Sequence, residues 1–206
     1  MLNTTPDMLT DEAVGVPKRH WFVALVDTKK ELVVRDYLKR AGYEAFVASK
    51  VEIHTWANRQ RKKVEQLIIS RYVFVHVTET ERRQIVWHPY IKSFLVNKAM
   101  ANDDGKLSSV ASVPDREIKV LRIMLQQPDA EVMFAPEDLT IGKTIVFTGI
   151  GYNRLEAEII KLPSDKKRYV GVRINGLGCA YMQIPQKWIL EVSAPDKPQS
   201  QTEQPT

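Results

Sequence analysis

A chain of 206 residues with 44% hydrophobic content can bury one large core or two small ones, and none of its windows approaches the roughly 18 consecutive apolar residues that cross a bilayer. The net charge of +5 is unevenly spread: residues 1–16 hold three acids and no base, residues 17–127 hold 21 Lys and Arg against 12 Asp and Glu, and residues 128–206 hold 9 against 10. A basic surplus confined to the first half favours a polyanionic partner such as nucleic acid, with a solvated basic surface as the plain alternative.

Residues 1–16 mix small, polar and turn-forming types, and Asp7, Asp11 and Glu12 stand where a secretion signal would carry bases and an apolar stretch. A disordered tail on a cytoplasmic protein is expected. Trp21 to Val26 is a short apolar run rich in β-formers, read as a strand covered on both faces. Asp27 or Thr28 then offers a helix-capping oxygen, Leu32, Val33, Tyr37 and Leu38 recur at helical spacing, and Gly42 supplies the stop. Residues 43–54 are expected to be extended. The run Arg59-Gln60-Arg61-Lys62-Lys63 forms a basic hairpin-like loop before a strand run from Val64 to Val77, either touching nucleic acid or keeping a hairpin tip soluble. Residues 80–87 suit a short helix stopped ahead of Pro89, and Ile91 to Val96 returns as a strand. Pro114-Asp115-Arg116-Glu117 opens a last helix, with proline in the first turn, acids at its positive end, and Ile118, Leu121, Met124 and Leu125 on one face. Residues 17–127 thus read as an α+β domain.

Residues 128–138, with Pro128, Pro136 and several acids, read as a linker. Beyond it, runs at Thr144–Thr148, Leu155–Leu162, Tyr169–Ile174, Ala180–Ile184 and Trp188–Val192 predict a small all-β barrel over residues 139–192. Cys179, the single cysteine, excludes an internal disulfide and is expected to be a buried structural thiol. Residues 193–206 are Pro/Gln/Thr/Ser-rich and read as a second disordered tail.

Nothing in the chain gathers into a catalytic set. His20, His54, His76 and His88 lack metal-ligand spacing, and the glycine pairs at 149/151 and 176/178 lack the strand-to-helix setting of a nucleotide fingerprint and read as turns. No enzyme activity, metal or cofactor is expected.

The order His20-Trp21-Phe22-Val23, Arg71-Tyr72-Val73-Phe74-Val75, Val113–Ile118, Ile141-Gly142-Lys143 and Leu155–Ile159 resembles the NusG family. The resemblance implies an N-terminal NusG domain, an antiparallel sheet flanked by helices, followed by an SH3-like KOW barrel. His54-Thr55-Trp56 with Arg61-Lys62-Lys63-Val64 is most similar to the UpxY-type antiterminators of capsular-polysaccharide operons. Two departures stand out: Ser70-Arg71 replaces the family's usual Pro-Gly, so that turn is open to another shape, and Asn153-Arg154 with Ala157 replaces the glycines of the KOW loop.

By the same resemblance, one face of the N-terminal sheet docks on the clamp helices of RNA polymerase's largest subunit. Strand alternation puts Tyr72 and Phe74 on one face and Val73 and Val75 on the other, so one pair can line a groove. Tyr72 and Phe74, supported by Leu25 and Ile69, are the expected contact, with ordinary core packing as the alternative; Trp21 is read as packing. Lys29, Lys30, Arg82 and Arg83 correspond to places where specialised relatives meet the non-template DNA strand. Trp87 and His88 either stack a base or, as the more ordinary reading, pack in the core. The barrel is expected to recruit a ribosomal protein or a termination factor, from a protein that is otherwise a monomer without a membrane partner. Its helix-forming residues at 155–162 leave open a barrel that refolds into helices. The rival readings are a housekeeping NusG-like elongation factor, a KOW-containing RNA- or ribosome-binding protein, and an acylphosphatase-like enzyme on a similar scaffold.

Overall fold

The computed structural model describes residues 17–55, 59, 61–97, 110–128, 130–136, 141–149, 152–160, 167, 169–174, 176–184 and 189–191. Both expected tails, Trp56, and residues 137–140, 150–151, 161–166 and 185–188 lie outside the described residues.

The N-terminal half is an α+β domain with antiparallel sheets and, among the described residues, three helices. Its main sheet runs in the order β2 (Glu44–Phe46), β5 (Tyr72–Val77), β1 (His20–Val26), β6 (Ile91–Phe94), with β7 (Ser112–Val113) also paired to β1. β1 lies at the centre because both its faces are apolar. Trp21 and Val23 join one buried cluster with Phe74, while Phe22, Ala24 and Val26 join another with Val73, Val75 and Val77. The period-2 alternation expected of a doubly covered strand is therefore realised. α1 (Glu31–Arg40) sends Val34 and Leu38 into the second cluster, and α2 (Glu79–Ile85) adds Ile85. α3 (Asp115–Gln126) sends Ile118, Leu121 and Met124 into the first.

Helix boundaries follow local chemistry, with one revision. Gly42 adopts φ +87° just after α1 and its N–H reaches Lys39 O at 3.0 Å, the stop its position predicts. α1 starts later than Asp27 or Thr28 would dictate. Its first turn is capped by Lys30 with no side-chain bond, because the Asp27 carboxylate is paired with Lys92 Nζ at 2.8 Å. α2 has a reciprocal capping box: Thr78 Oγ1 accepts the Glu81 N–H at 3.2 Å, and Glu81 Oε2 accepts the Thr78 N–H at 2.8 Å.

The apolar run from residue 64 to 77 is not one strand. β4 (Arg61–Leu67) ends before a turn at Ser70 and Arg71, and pairs with β3 (Ser49–Thr55) in a separate two-stranded ribbon. The turn is where the family pattern would have Pro-Gly. Arg71 takes φ +69° there, a left-handed conformation that a non-glycine residue adopts at a cost of about 1–2 kcal/mol.

The C-terminal half is a six-stranded antiparallel sheet in the order β13 (Ile189–Glu191), β9 (Ile141–Gly149), β10 (Tyr152–Ile160), β11 (Tyr169–Ile174), β12 (Gly178–Gln183), β8 (Val132–Ala135). β8 falls inside the segment expected to be a linker. Val132 is buried, and Ala135 pairs with Cys179, so the apolar residues between the two prolines close an edge of the sheet. At Gly178, φ +142°, a Cβ would stand 2.3 Å from Ala135 O, and the pairing with β8 therefore requires glycine. Cys179 is buried, as its expected structural role requires. α3 packs against both halves, because Val120 and Ile123 share a cluster with Ala157, Val170 and Val172 of this second sheet.

Candidate functional site

On β1 and β5 the residues Trp21, Val23, Leu25, Tyr72, Phe74 and His76 share one face by alternation, and the register sets Leu25 directly opposite Tyr72. This face has two different ends. At one, Trp21 stacks on His76 at 4.9 Å, Phe46 stacks on Phe74 at 4.7 Å, and the Arg122 guanidinium of α3 lies over both Trp21 (4.9 Å) and Phe46 (4.6 Å) while pairing with Glu44. That end is closed by α3. At the other end Leu25 and Tyr72 are only half-buried, and β1 shifts register against β6 between Leu25 and Val26, beside exposed Ser93.

The four residues expected to form one contact surface are therefore divided. Phe74 and Ile69 are 0% and 1% exposed and belong to the same buried cluster as Leu121 and Met124. They are core in this arrangement and support the face from within. Leu25 and Tyr72 remain as the accessible aliphatic–aromatic pair. Trp21, 4% exposed, is packing.

A second surface is built by the start of α1, by α2 and by the segment after it. Lys29 is exposed at φ +64°, and Lys30 Nζ sits 4.7 Å from the centroid of Tyr90. The two arginines of α2 differ. Arg83 has a 75% exposed side chain. Arg82 has a 12% exposed one, donates to both carboxylate oxygens of Glu79 (2.8 and 2.5 Å), and lies over Phe94 at 5.2 Å. Its guanidinium is committed to closing the sheet edge, which corrects the expectation that both arginines face a nucleic acid. The Arg82 hydrogen bonds hold the Glu79 carboxyl well below the usual range, at about 2.

Trp87 overturns the ordinary reading of its position. It is 86% exposed, one residue beyond the C-cap of α2, because the helix ends at Ile85 and only Ile85 turns inward. With Tyr37, Gln84, Ile85, His88 and Pro89 it lines a shallow groove. His88 lies 4.4 Å from Tyr37 and 5.6 Å from Tyr90, and burial lowers its pKa, so it presents a neutral ring. Exposed aromatic rings beside Lys29, Lys30 and Arg83 form the combination that stacks unpaired bases while holding their phosphates. No periodicity could reveal the exposure of Trp87; the turn that frees it is set by Pro89.

A third feature joins the two halves. Glu117 of α3 and Glu158 of β10 line one cavity of about 40 Å³ together with Arg116, Gly171 and Arg173, too small for any nucleotide-sized ligand. Oε2 of each glutamate is buried without a hydrogen-bond partner among the described residues. Burial, opposed by Arg116 and reinforced by Glu158, pushes the Glu117 carboxyl up to about 7.

A family model described as transcription termination factor nusG matches residues 19–122, half of the chain, from β1 into α3. The chain belongs to the NusG family. A solved structure of a NusG from Thermotoga maritima, described as showing domain interaction, aligns at 16% identity with a TM-score of 0.37, covering 80% of this chain and 93% of that one. No curated protein matches significantly. NusG-family proteins are transcription factors that bind RNA polymerase, and in this member Leu25 and Tyr72 are the accessible apolar pair on the central strands, whereas Lys29, Arg83 and Trp87 stand on the basic side. Among the described residues no helix is long and apolar enough to cross a membrane.

Proposed function

We propose that this NusG-family protein is a specialised elongation and antitermination factor of the UpxY type, acting in the cytoplasm on the polymerase that transcribes a surface-polysaccharide operon. The observation that carries the docking step is the Leu25–Tyr72 pair, an aliphatic and an aromatic side chain opposed across β1 and β5 and left half-covered. Desolvated aromatics beside aliphatics dominate helix-in-groove contacts, and this pair suits the clamp helices of the largest polymerase subunit. Phe74 and Ile69 stiffen the pair from below. Lys29, Lys30 and Arg83 hold the displaced non-template strand, with Trp87 stacking one of its bases. The six-stranded C-terminal sheet acts as a KOW barrel that recruits a ribosomal protein or a termination factor. The protein works without catalytic residues, metal or cofactor, and as a monomer.

The test is capture of a polymerase clamp-helix fragment by the full chain. Tyr72→Ser and Leu25→Ser should each weaken capture about tenfold or more while leaving the circular dichroism spectrum intact. Full capture by the folded double variant would reject the docking face. Phe74→Ser is unsuited to this test, because loss of a fully buried aromatic costs roughly 3–5 kcal/mol and endangers the fold itself.

A further inference from the structure

The docking and single-strand surfaces leave the β3–β4 ribbon of the N-terminal domain unused. Its root is fixed. Ser49 Oγ donates to Glu65 Oε1 at 2.6 Å, Arg35 of α1 pairs with the same oxygen, and Lys50 Nζ donates to the carbonyl of Gln127 at 2.8 Å. Beyond that root each strand continues to the far end of a seven-residue element, so the ribbon reaches roughly 20 Å.

The outer half lacks cover, and its cations outnumber its acids: Glu52 stands opposite Val64, while Glu65, opposite Val51, is tied to Ser49 and Arg35 at the root. Val51 and Ile53 are each 64% exposed and Val64 is 40% exposed, in a two-stranded ribbon that is marginally stable in water without a partner. Residues 53–63 contain no acid. Arg59, Arg61, Lys62 and Lys63 are exposed, and none forms an ion pair or side-chain hydrogen bond with another described residue. Register pairs Ile53 with Lys63 and Val51 with Glu65, so Val51, Ile53, Arg61 and Lys63 share one face and Lys62 and Val64 the other. Both faces thus carry positive charge at the end away from the root, with Glu52 on the face of Lys62.

A protein surface meets one face of a ribbon. A groove with phosphates along both walls meets both. The major groove of B-form DNA, about 12 Å wide, admits a two-stranded β-ribbon, whereas that of an A-form RNA duplex is too narrow and deep. We propose that the β3–β4 ribbon is a second nucleic-acid site, for double-stranded DNA: it enters the major groove with Arg61 and Lys63 reaching one phosphate wall, Val51 and Ile53 packed against that same side, and Lys62 reaching the other wall. The site is separate from the single-strand surface around Trp87.

The experiment measures binding of the full chain, without polymerase, to a fluorescently labelled DNA duplex two helical turns long, between about 50 and 200 mM salt. Each phosphate contact contributes about 0.9 to the slope of log affinity against log salt, so the triple variant Arg61→Gln/Lys62→Gln/Lys63→Gln should lose about 2.7 from that slope. Val51→Ser/Ile53→Ser should weaken binding and keep the slope. A triple variant with wild-type slope overturns the site. So does equal, ribbon-dependent binding of an A-form RNA duplex or of single strands, which would assign the ribbon to phosphate in general. Failure of the unaltered chain to capture the clamp-helix fragment, with duplex binding intact, would reject the docking reading alone.

Discussion

The carboxylate of Glu31, itself only 2% exposed, accepts the backbone N–H of Arg71 at 2.7 Å. Glu31 is the first residue of α1 and Arg71 the residue that turns left-handed into β5, so one side chain ties the helix start to the strand that carries Tyr72. The charge-assisted bond offsets the strain of a non-glycine residue at positive φ, and the positive end of α1 favours the carboxylate. Glu31→Ala should therefore destabilise the protein by about 1.5–3 kcal/mol, the worth of a hydrogen bond to a charged group. Arg71→Gly should stabilise it by up to about 1 kcal/mol. Urea denaturation of both variants measures this, and equal midpoints would show that the bond bears no load.

The arginines of α2 should separate in the same kind of experiment. Arg82→Gln removes paired bonds to Glu79 and a cation held over Phe94, and should lower thermal stability. Arg83→Gln should leave stability within about 0.5 kcal/mol and reduce the salt slope of single-strand binding by about 0.7. Because Arg82 depresses the Glu79 carboxyl to about 2, the pair's contribution is complete above the ordinary carboxylate range and is lost only as pH falls through about 2. A thermal melt at pH 4 should still distinguish wild type from Arg82→Gln.

Much of this was written locally. The β1 run, the Gly42 stop, α3 and the C-terminal strand runs follow from apolar spacing and turn chemistry, which act within a few residues. What stayed hidden depends on distant partners. Asp27 does not cap α1 because Lys92 takes its carboxylate. Arg82 is not a surface cation because Glu79 and Phe94 enclose it. β8 is not a linker because β12 supplies its ladder. Phe74 and Tyr72 look alike in an alternating strand, and only the place where α3 lies separates the buried one from the accessible one.

Trp87 offers a sharper separation of binding from stability. An 86% exposed side chain leaves no cavity when removed, so Trp87→Ala should keep the melting midpoint of the wild type. It should still weaken binding of single-stranded DNA by about 1–3 kcal/mol, the worth of one stacked base. Trp87→Phe should recover much of that loss, since stacking needs the ring and not the indole N–H. Anisotropy with a labelled single strand reads both variants, and undiminished affinity of the alanine variant would remove Trp87 from the site.

Contact between the two halves should respond to pH through Glu117. Its carboxyl is raised to about 7 chiefly by burial, with Glu158 of β10 adding to the shift and Arg116 opposing it. Arg173 of β11 lines the same cavity. An acid whose folded pKa lies above its unfolded value binds extra protons when folded, so its contribution is complete below about 4.5 and is lost as pH rises through about 7. The α3–β10–β11 contact should accordingly be tighter at pH 5 than at pH 8. Glu117→Gln keeps the shape, cannot ionise, and should hold the contact equally at both values. Glu158→Gln should lower the midpoint of the transition, because it removes the neighbouring negative charge. Paramagnetic or fluorescence distance measurements between labels on α3 and β11 report the opening directly. A wild-type distance that is constant from pH 5 to 8 would exclude control of this contact by protonation of Glu117.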